Sequence, residues 1–180
     1  VWAGKITPAL SAHGVSRVED GFLRSRGLGA NLISPLSLVL DNVGIYYDPT
    51  APSQLEALIE KSGSLSNAAR ARAEKLIASL INARLSKYNV GGTEIAALPE
   101  GRRILVPGQV EDDASIKLGT GDVKTNRDLL AACRATNPAA VILYKPHPDV
   151  EAGLRDGAVP DAGDFADAVL AKTSPIAALH

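Results

Sequence analysis

The sequence predicts an α/β fold in which helices cover a parallel sheet. Three observations carry that expectation. Arg103-Ile104-Leu105-Val106-Pro107 and Ala140-Val141-Ile142-Leu143-Tyr144 are continuous apolar runs, the pattern of strands buried on both faces. Between them Thr125-Asn126-Arg127-Asp128 opens a helix in capping style, Leu129, Leu130 and Cys133 give it an apolar stripe, and Asn137-Pro138 stops it. Strand, helix and strand in that order form a crossover unit, so the two strands run parallel.

The earlier elements follow from local chemistry. Val15-Ser16-Arg17-Val18 alternates apolar and polar residues, as a short strand does. Leu36 to Leu40 and Val43 to Tyr47 read as two strands joined through the turn dipeptide Asp41-Asn42. Pro49 and Pro52 end the extended region. Ser53-Gln54-Leu55-Glu56 matches a capping box and starts a short helix to about Lys61. Ser66 starts the longest helix, to about Tyr88, with Ala69, Ala73, Leu76, Ile77, Leu80, Ile81 and Leu85 on one stripe. Asn89-Val90-Gly91-Gly92 stops it. Residues 1–90 form one half of the chain, 91–101 a linker and 102–180 a second half. In that second half a polar loop runs from Gly108 to Lys124, and helix returns weakly from Ala162.

Composition narrows the function. The chain has 180 residues, of which 46% are hydrophobic and 22% charged, a globular balance rather than a disordered one. Net charge is −1 and aromatics are 4%, so neither a basic field nor a stacking platform points to nucleic acid. A single cysteine, Cys133, excludes internal disulfides and a multi-cysteine zinc site. No apolar run approaches the ~20 residues that span a bilayer, and the expected setting is the cytoplasm. There is no methionine, and the expectation is a partial or excised segment of a longer chain.

Ligands of open parallel sheets bind beyond the carboxyl ends of the strands. The two strands of the crossover unit end in Gly108-Gln109-Val110-Glu111-Asp112-Asp113 and Lys145-Pro146-His147-Pro148-Asp149. Both loops must leave the same sheet edge, which brings Asp113 and His147 into one neighbourhood. His147 sits between two prolines on a stiff backbone, and Lys145 adds a positive charge, a pairing suited to a phosphate or other anion. The run Glu111-Asp112-Asp113 is expected to raise the pKa values of its members, useful for a nucleophile or acid–base group; a solvated acidic turn is the plain alternative. Glu19-Asp20, surrounded by Arg17, Arg24 and Arg26, offers a second mixed site for an anionic substrate. Gly27-Leu28-Gly29 lacks the third glycine of a dinucleotide fingerprint, so nicotinamide cofactors are not expected. No ligand cluster points to a metal.

A family resemblance rests on longer blocks: Arg17 to Ser25, Gly27 to Gly29, Pro35 to Val39, Gly44 to Asp48, Ser86 to Asn89, Val106 to Ile116 and Tyr144 to Val150. Together they resemble the bacterial capsular polysaccharide biosynthesis and export proteins that act as retaining transferases of β-Kdo, 3-deoxy-D-manno-octulosonic acid. The resemblance covers most of the chain. It implies a partial GT-B architecture built from Rossmann-like halves, the first on the acceptor side and the second on the nucleotide-sugar side. The elements that hold the cytidine base would lie beyond His180. It further implies CMP-Kdo as donor substrate with no other cofactor, a lipid-linked glycan acceptor, and peripheral contact with the inner membrane and the capsule export machinery. The family's Gln-x-x-x-Asp element is Gln109 through Asp113 here, and its His-Pro element is His147-Pro148.

What the resemblance implies for mechanism is double displacement. Asp113 would be the nucleophile, with Asp112 its rival; Glu19 or Asp20 would be the acid–base group. His147, Lys145, Gln109, Arg17 and Arg24 would bind substrate. Two alternatives stay open: a GT-B enzyme using another nucleotide sugar, and a non-catalytic sugar- or nucleotide-binding module.

Overall fold

The second apolar run becomes the middle strand of a parallel sheet, and the elements around it set the geometry of the site. The computed structural model of the chain describes residues 1–92 and 97–171. By internal contacts the chain divides into two compact units, residues 1–29 with 33–89, and the chain from Val90 on with residues 30–32.

In the first unit α1 (Pro8–Ser11) starts at Thr7, whose hydroxyl accepts the Leu10 N–H at 3.4 Å, with Pro8 in the first turn. β1 (Arg17–Asp20) pairs antiparallel with β2 (Leu38–Asp41), in a register running from Arg17 opposite Asp41 to Asp20 opposite Leu38. The described strands of this unit are therefore antiparallel, apart from a parallel bridge between Trp2 and Val18. Val43 to Tyr47, expected as a strand, is not one. The reason is Asp41. Its side chain is almost fully buried, and Oδ1 accepts the N–H groups of Val43 and Gly44 at 2.8 Å each. Oδ2 accepts Gln54 N–H at 2.9 Å. The carboxylate thus occupies the donors that a strand would have offered to a neighbour, and folds the chain into a turn.

α2 (Gln54–Lys61) follows, and its capping box is present: Glu56 N–H donates to Ser53 Oγ at 3.2 Å, and Ser53 N–H donates to Glu56 Oε2 at 2.7 Å. α3 (Asn67–Asn82) is capped by Ser66, which accepts Ala69 N–H at 3.2 Å. It ends short of the expected Tyr88. Arg84 lies at φ +50°, a left-handed conformation that takes the chain out of the helix. Its apolar stripe stays uncovered, with Leu76, Ile77 and Ile81 at 56%, 55% and 63% exposure. The unit is held instead by a polar knot. Buried Arg24 pairs with Asp20 and donates from Nη1 to Ile33 O at 2.8 Å and to Ser25 Oγ at 3.0 Å. Backbone donors of Arg24, Ser25 and Gly27 meet the carbonyls of Lys87 and Tyr88.

The second unit contains β3 (Arg103–Pro107), α4 (Ala114–Gly119), α5 (Asn126–Thr136), β4 (Val141–Lys145), α6 (Pro148–Glu151) and β5 (Ala168–Val169). The strands form one sheet in the order β3, β4, β5, all parallel. Successive residues of β4 face opposite sides. Ile142 and Tyr144 pack with Val106, Leu130, Ala162 and Ala166, while Leu143 packs with Leu170. Leu98, in the expected linker, packs against this second cluster. α4 lies inside the stretch expected to be loop. Past Ala162 a single 3-10 turn (Ala162–Asp164) leads into β5, where helix was expected. Residues 93–96 of the linker, and the tail from 172 on, lie outside the described residues.

Candidate functional site

The site of the second unit is built where β3 and β4 end together. Pro107 is in register with Lys145, and Gly108 N–H extends the ladder to Lys145 O at 2.8 Å. The loops after the two strands therefore leave one edge, side by side. Their contact is close at Gly108: a Cβ there would lie 2.8 Å from Tyr144 Oη and 3.2 Å from His147 N. Gly108→Ala is expected to destabilise the fold by about 2 kcal/mol through this overlap. Adding Tyr144→Phe should recover part of it, a non-additivity readable by denaturant melts of the single and double variants.

Each carboxylate of the Glu111-Asp112-Asp113 run has its own partner. Glu111 Oε1 accepts Asn126 N–H, the first N–H of α5, at 2.7 Å. Asp112 Oδ1 accepts both Nε and Nη2 of Arg155, at 3.1 and 2.8 Å. Asp113 is the N-cap of α4: its Oδ1 accepts Ser115 N–H at 2.9 Å and Ser115 Oγ–H at 2.8 Å. The expectation that the three raise one another's pKa values is corrected at Asp112. The Arg155 hydrogen bond holds its carboxyl below the ordinary carboxylate range. Gln109 is held through its main chain. Its N–H donates to Asn126 Oδ1 and its carbonyl accepts from Asn126 Nδ2, both at 2.8 Å.

On the neighbouring loop His147 caps α6, with Nδ1 accepting Asp149 N–H at 3.2 Å. Pro148 in the first turn supplies no N–H, and its fixed φ suits that position. An imidazole that accepts at Nδ1 carries its proton on Nε2. The Asp149 carboxylate stands 4.0 Å from Nδ1, the limit of ion pairing. Lys145, expected in the loop, is instead the last residue of β4. It is buried, and Nζ donates to Ala171 O at 3.1 Å. Burial pushes its ammonium pKa down, and Glu151 partly offsets that. Lys145 therefore sits under the loop rather than on it. Two buried polar atoms at this edge, Tyr144 Oη and Asp149 Oδ1, have no hydrogen-bond partner among the described residues. Burial, with the Glu111 charge second, raises the Tyr144 pKa.

Arg155 and Asn126 were not legible as site residues. Arg155 joins the two loops electrostatically: its pKa is raised by the Asp112 hydrogen bond, then by the charges of Asp112, Asp113 and Asp149. Nothing in the spacing of Gly153-Leu154-Arg155 signals that role. Asn126 did stand out as part of a capping motif, but its burial is a tertiary fact.

The first unit's candidates divide differently. Glu19 and Asp20 are neighbours on β1 and so project from opposite faces. Asp20 is tied to Arg24, and both are inside the polar knot. Arg24, expected to bind substrate, is buried with Nε on Asp20 and Nη1 on Ser25 and Ile33. Arg17 donates from Nη1 to Val43 O at 3.3 Å. Among the described residues no three His, Cys, Asp or Glu side chains are placed to hold a metal ion, and no helix is long and apolar enough to cross a membrane.

Comparison with known proteins gives the chain its relatives. Residues 5–171 match the family described as capsule polysaccharide biosynthesis protein. The lipopolysaccharide-processing protein LpsZ of Rhizobium meliloti is 50% identical over 143 residues, 77% of this chain and 32% of its own length. The capsule polysaccharide modification protein LipA of Neisseria meningitidis serogroup A is 47% identical over 154 residues, 84% of this chain and 22% of its own. The chain thus spans a third or less of these relatives. Among solved structures, the β-Kdo 2,4 transferase of Thermosulfurimonas dismutans KpsC superposes with a TM-score of 0.78 at 31% identity, over 98% of this chain and 57% of that one. The β-Kdo 2,7 transferase of the same protein gives 0.66 at 38%, over 87% and 45%.

Proposed function

This chain belongs to the capsule polysaccharide biosynthesis protein family, and from that membership we propose that it is part of a retaining β-Kdo transferase that moves Kdo from CMP-Kdo to a lipid-linked glycan acceptor in capsule synthesis. The observation that carries the proposal is the likeness, over nearly the whole chain, to a structure solved as a β-Kdo transferase. The arrangement of the β3–β4 edge supports the following roles.

Asp113 is the nucleophile. Its Oδ1 is fixed by the α4 cap, and Oδ2 is the oxygen that attacks the anomeric carbon of Kdo. A carbon–oxygen bond to the carboxylate forms as the bond to the CMP phosphate breaks, and the phosphate leaves with the electron pair. His147 Nε2–H meets the charge growing on that phosphate, with the burial-weakened Lys145 ammonium beneath the loop. The acceptor hydroxyl then attacks the same carbon from the vacated side and releases Asp113, so two inversions give net retention. Its proton goes to a carboxylate acting as general base. Asp112 pairs with Arg155 in a half-exposed contact and takes no part in transfer.

The test is donor choice in the full-length protein. CMP-Kdo is expected to support transfer to a Kdo-terminated glycolipid where UDP- and GDP-sugars do not, and free CMP should compete while UDP and GDP should not. Preference for UDP or GDP would replace the Kdo reading with another nucleotide-sugar transferase. CMP binding without turnover would make the chain a binding module.

A further inference from the structure

We propose that Asn126 is a positioning residue for transfer: its amide grips the Gln109 peptide group and so sets the loop that carries Asp113. This rests on the Kdo-transfer reading. Asn126 is 4% exposed. Its Oδ1 accepts Gln109 N–H and its Nδ2 donates to Gln109 O, each at 2.8 Å, so one side chain satisfies both polar groups of a single residue. Nδ2 also donates to Gly157 O at 2.8 Å. The Asn126 backbone N–H adds the bond to Glu111 Oε1 at 2.7 Å.

Two features separate this from a helix cap. The start of α5 already has its cap in Thr125, whose Oγ1 accepts Asp128 N–H at 3.0 Å. Every hydrogen bond of the Asn126 side chain goes instead to the 108–113 loop and to the 155–157 loop. The second loop is shaped to allow this. Gly157 lies at φ +129°, and a Cβ there would come within 2.7 Å of both Asn126 Nδ2 and Gln109 O. Arg155, which pairs with Asp112, rides on that loop. One amide therefore ties together the main chain before Asp113 and the loop that steadies Asp112. A group with one acceptor and two donors at this reach is what asparagine supplies; aspartate lacks the donors and glutamine is a methylene too long.

The experiment uses the full-length protein, with Asn126→Ala and Asn126→Asp. In Asn126→Ala, kcat per folded molecule should fall about 30-fold while the donor KM stays within about threefold, the split expected when bound substrate meets a misplaced group. Hydrogen exchange should speed up at the Gln109 and Glu111 amides and not at those of β3 and β4. In Asn126→Asp, the protonated carboxyl keeps one acceptor and one donor, whereas the ionised form faces two carbonyl oxygens. Its kcat relative to wild type should therefore rise as pH is lowered from about 8 to about 6. If Asn126→Ala does not fold, Asn126→Asp decides: a kcat equal to wild type at about pH 8, where its carboxylate is ionised, overturns the proposal. Unchanged kcat with faster Gln109 exchange also overturns it: the amide would hold the loop without serving transfer. Wild-type protein that transfers no Kdo would instead remove the reading beneath it, and the exchange data would tell the two failures apart.

Discussion

Asp113→Asn is expected to keep its fold and lose its chemistry. Asparagine caps a helix about as well as aspartate. Its amide oxygen can still accept Ser115 N–H and Oγ–H, the two bonds that Asp113 Oδ1 now makes. The thermal midpoint should stay within about 2 °C of wild type. An amide cannot form the glycosyl ester, so transfer in the full-length protein should fall at least about 10³-fold. Asp112→Asn is the control. It weakens only a half-exposed pair with Arg155, a kind of contact with little effect in water, and turnover should stay within about threefold. If Asp112→Asn abolishes transfer and Asp113→Asn spares it, the nucleophile is Asp112 and the reading of the loop shifts by one residue. Asp113→Ala is less informative, because it removes cap and nucleophile together.

Asp41→Asn should have the largest effect on stability. The buried carboxylate accepts three backbone N–H groups, from Val43, Gly44 and Gln54, and charge-assisted bonds of this kind are the strong ones. The substitution replaces one acceptor oxygen by an NH2 that faces donors. A loss of about 3 kcal/mol is expected, read from denaturant unfolding at neutral pH. The same bonds make a pH signature. Burial alone would raise the Asp41 pKa, but the N–H groups of Gly44, Gln54 and Val43, with Arg17 adding to them, bring it net below the ordinary value. A carboxyl lowered in the folded state adds stability that is complete above its unfolded pKa of about 3.9 and is lost as pH falls through the lower folded value. Wild type should therefore lose stability below about pH 4 more steeply than Asp41→Asn, and the gap between them should narrow with acid. A gap that is constant from pH 7 to pH 3 would mean that the side chain acts by shape rather than charge.

The second half of the fold was legible because its signals are local. Two apolar runs of strand length and a capped helix between them suffice for the crossover, and the crossover alone puts the Gln109–Asp113 and Pro146–Asp149 loops at one edge. What escaped is set by contacts between residues distant in sequence. Val43 to Tyr47 has strand composition, but Asp41 reaches Gln54 and takes that segment into a turn. α4 is six residues with Ser115, Lys117 and Gly119 among them, too short and too polar to show a period; its one sign is Asp113 two residues before Ser115, a cap that was read as part of an acidic run. Arg24 was read as a substrate-binding cation beside Glu19-Asp20, yet it is buried, with Nε on Asp20 and Nη1 on Ser25 and Ile33. Lys145 was placed one residue too far, in the loop, because Pro146 and not Tyr144 marks the end of β4. Asn126 and Arg155 depend on where their loops return, which no spacing records.

Intact-mass spectrometry of the full-length protein with CMP-Kdo, without acceptor, tests the central claim most directly. Wild type should gain the mass of one Kdo residue, the adduct should map to the peptide containing Asp113, and a glycolipid acceptor should discharge it; Asp113→Asn should stay unmodified. Turnover with no adduct under conditions that trap it, or an adduct that persists in Asp113→Asn, would contradict the account.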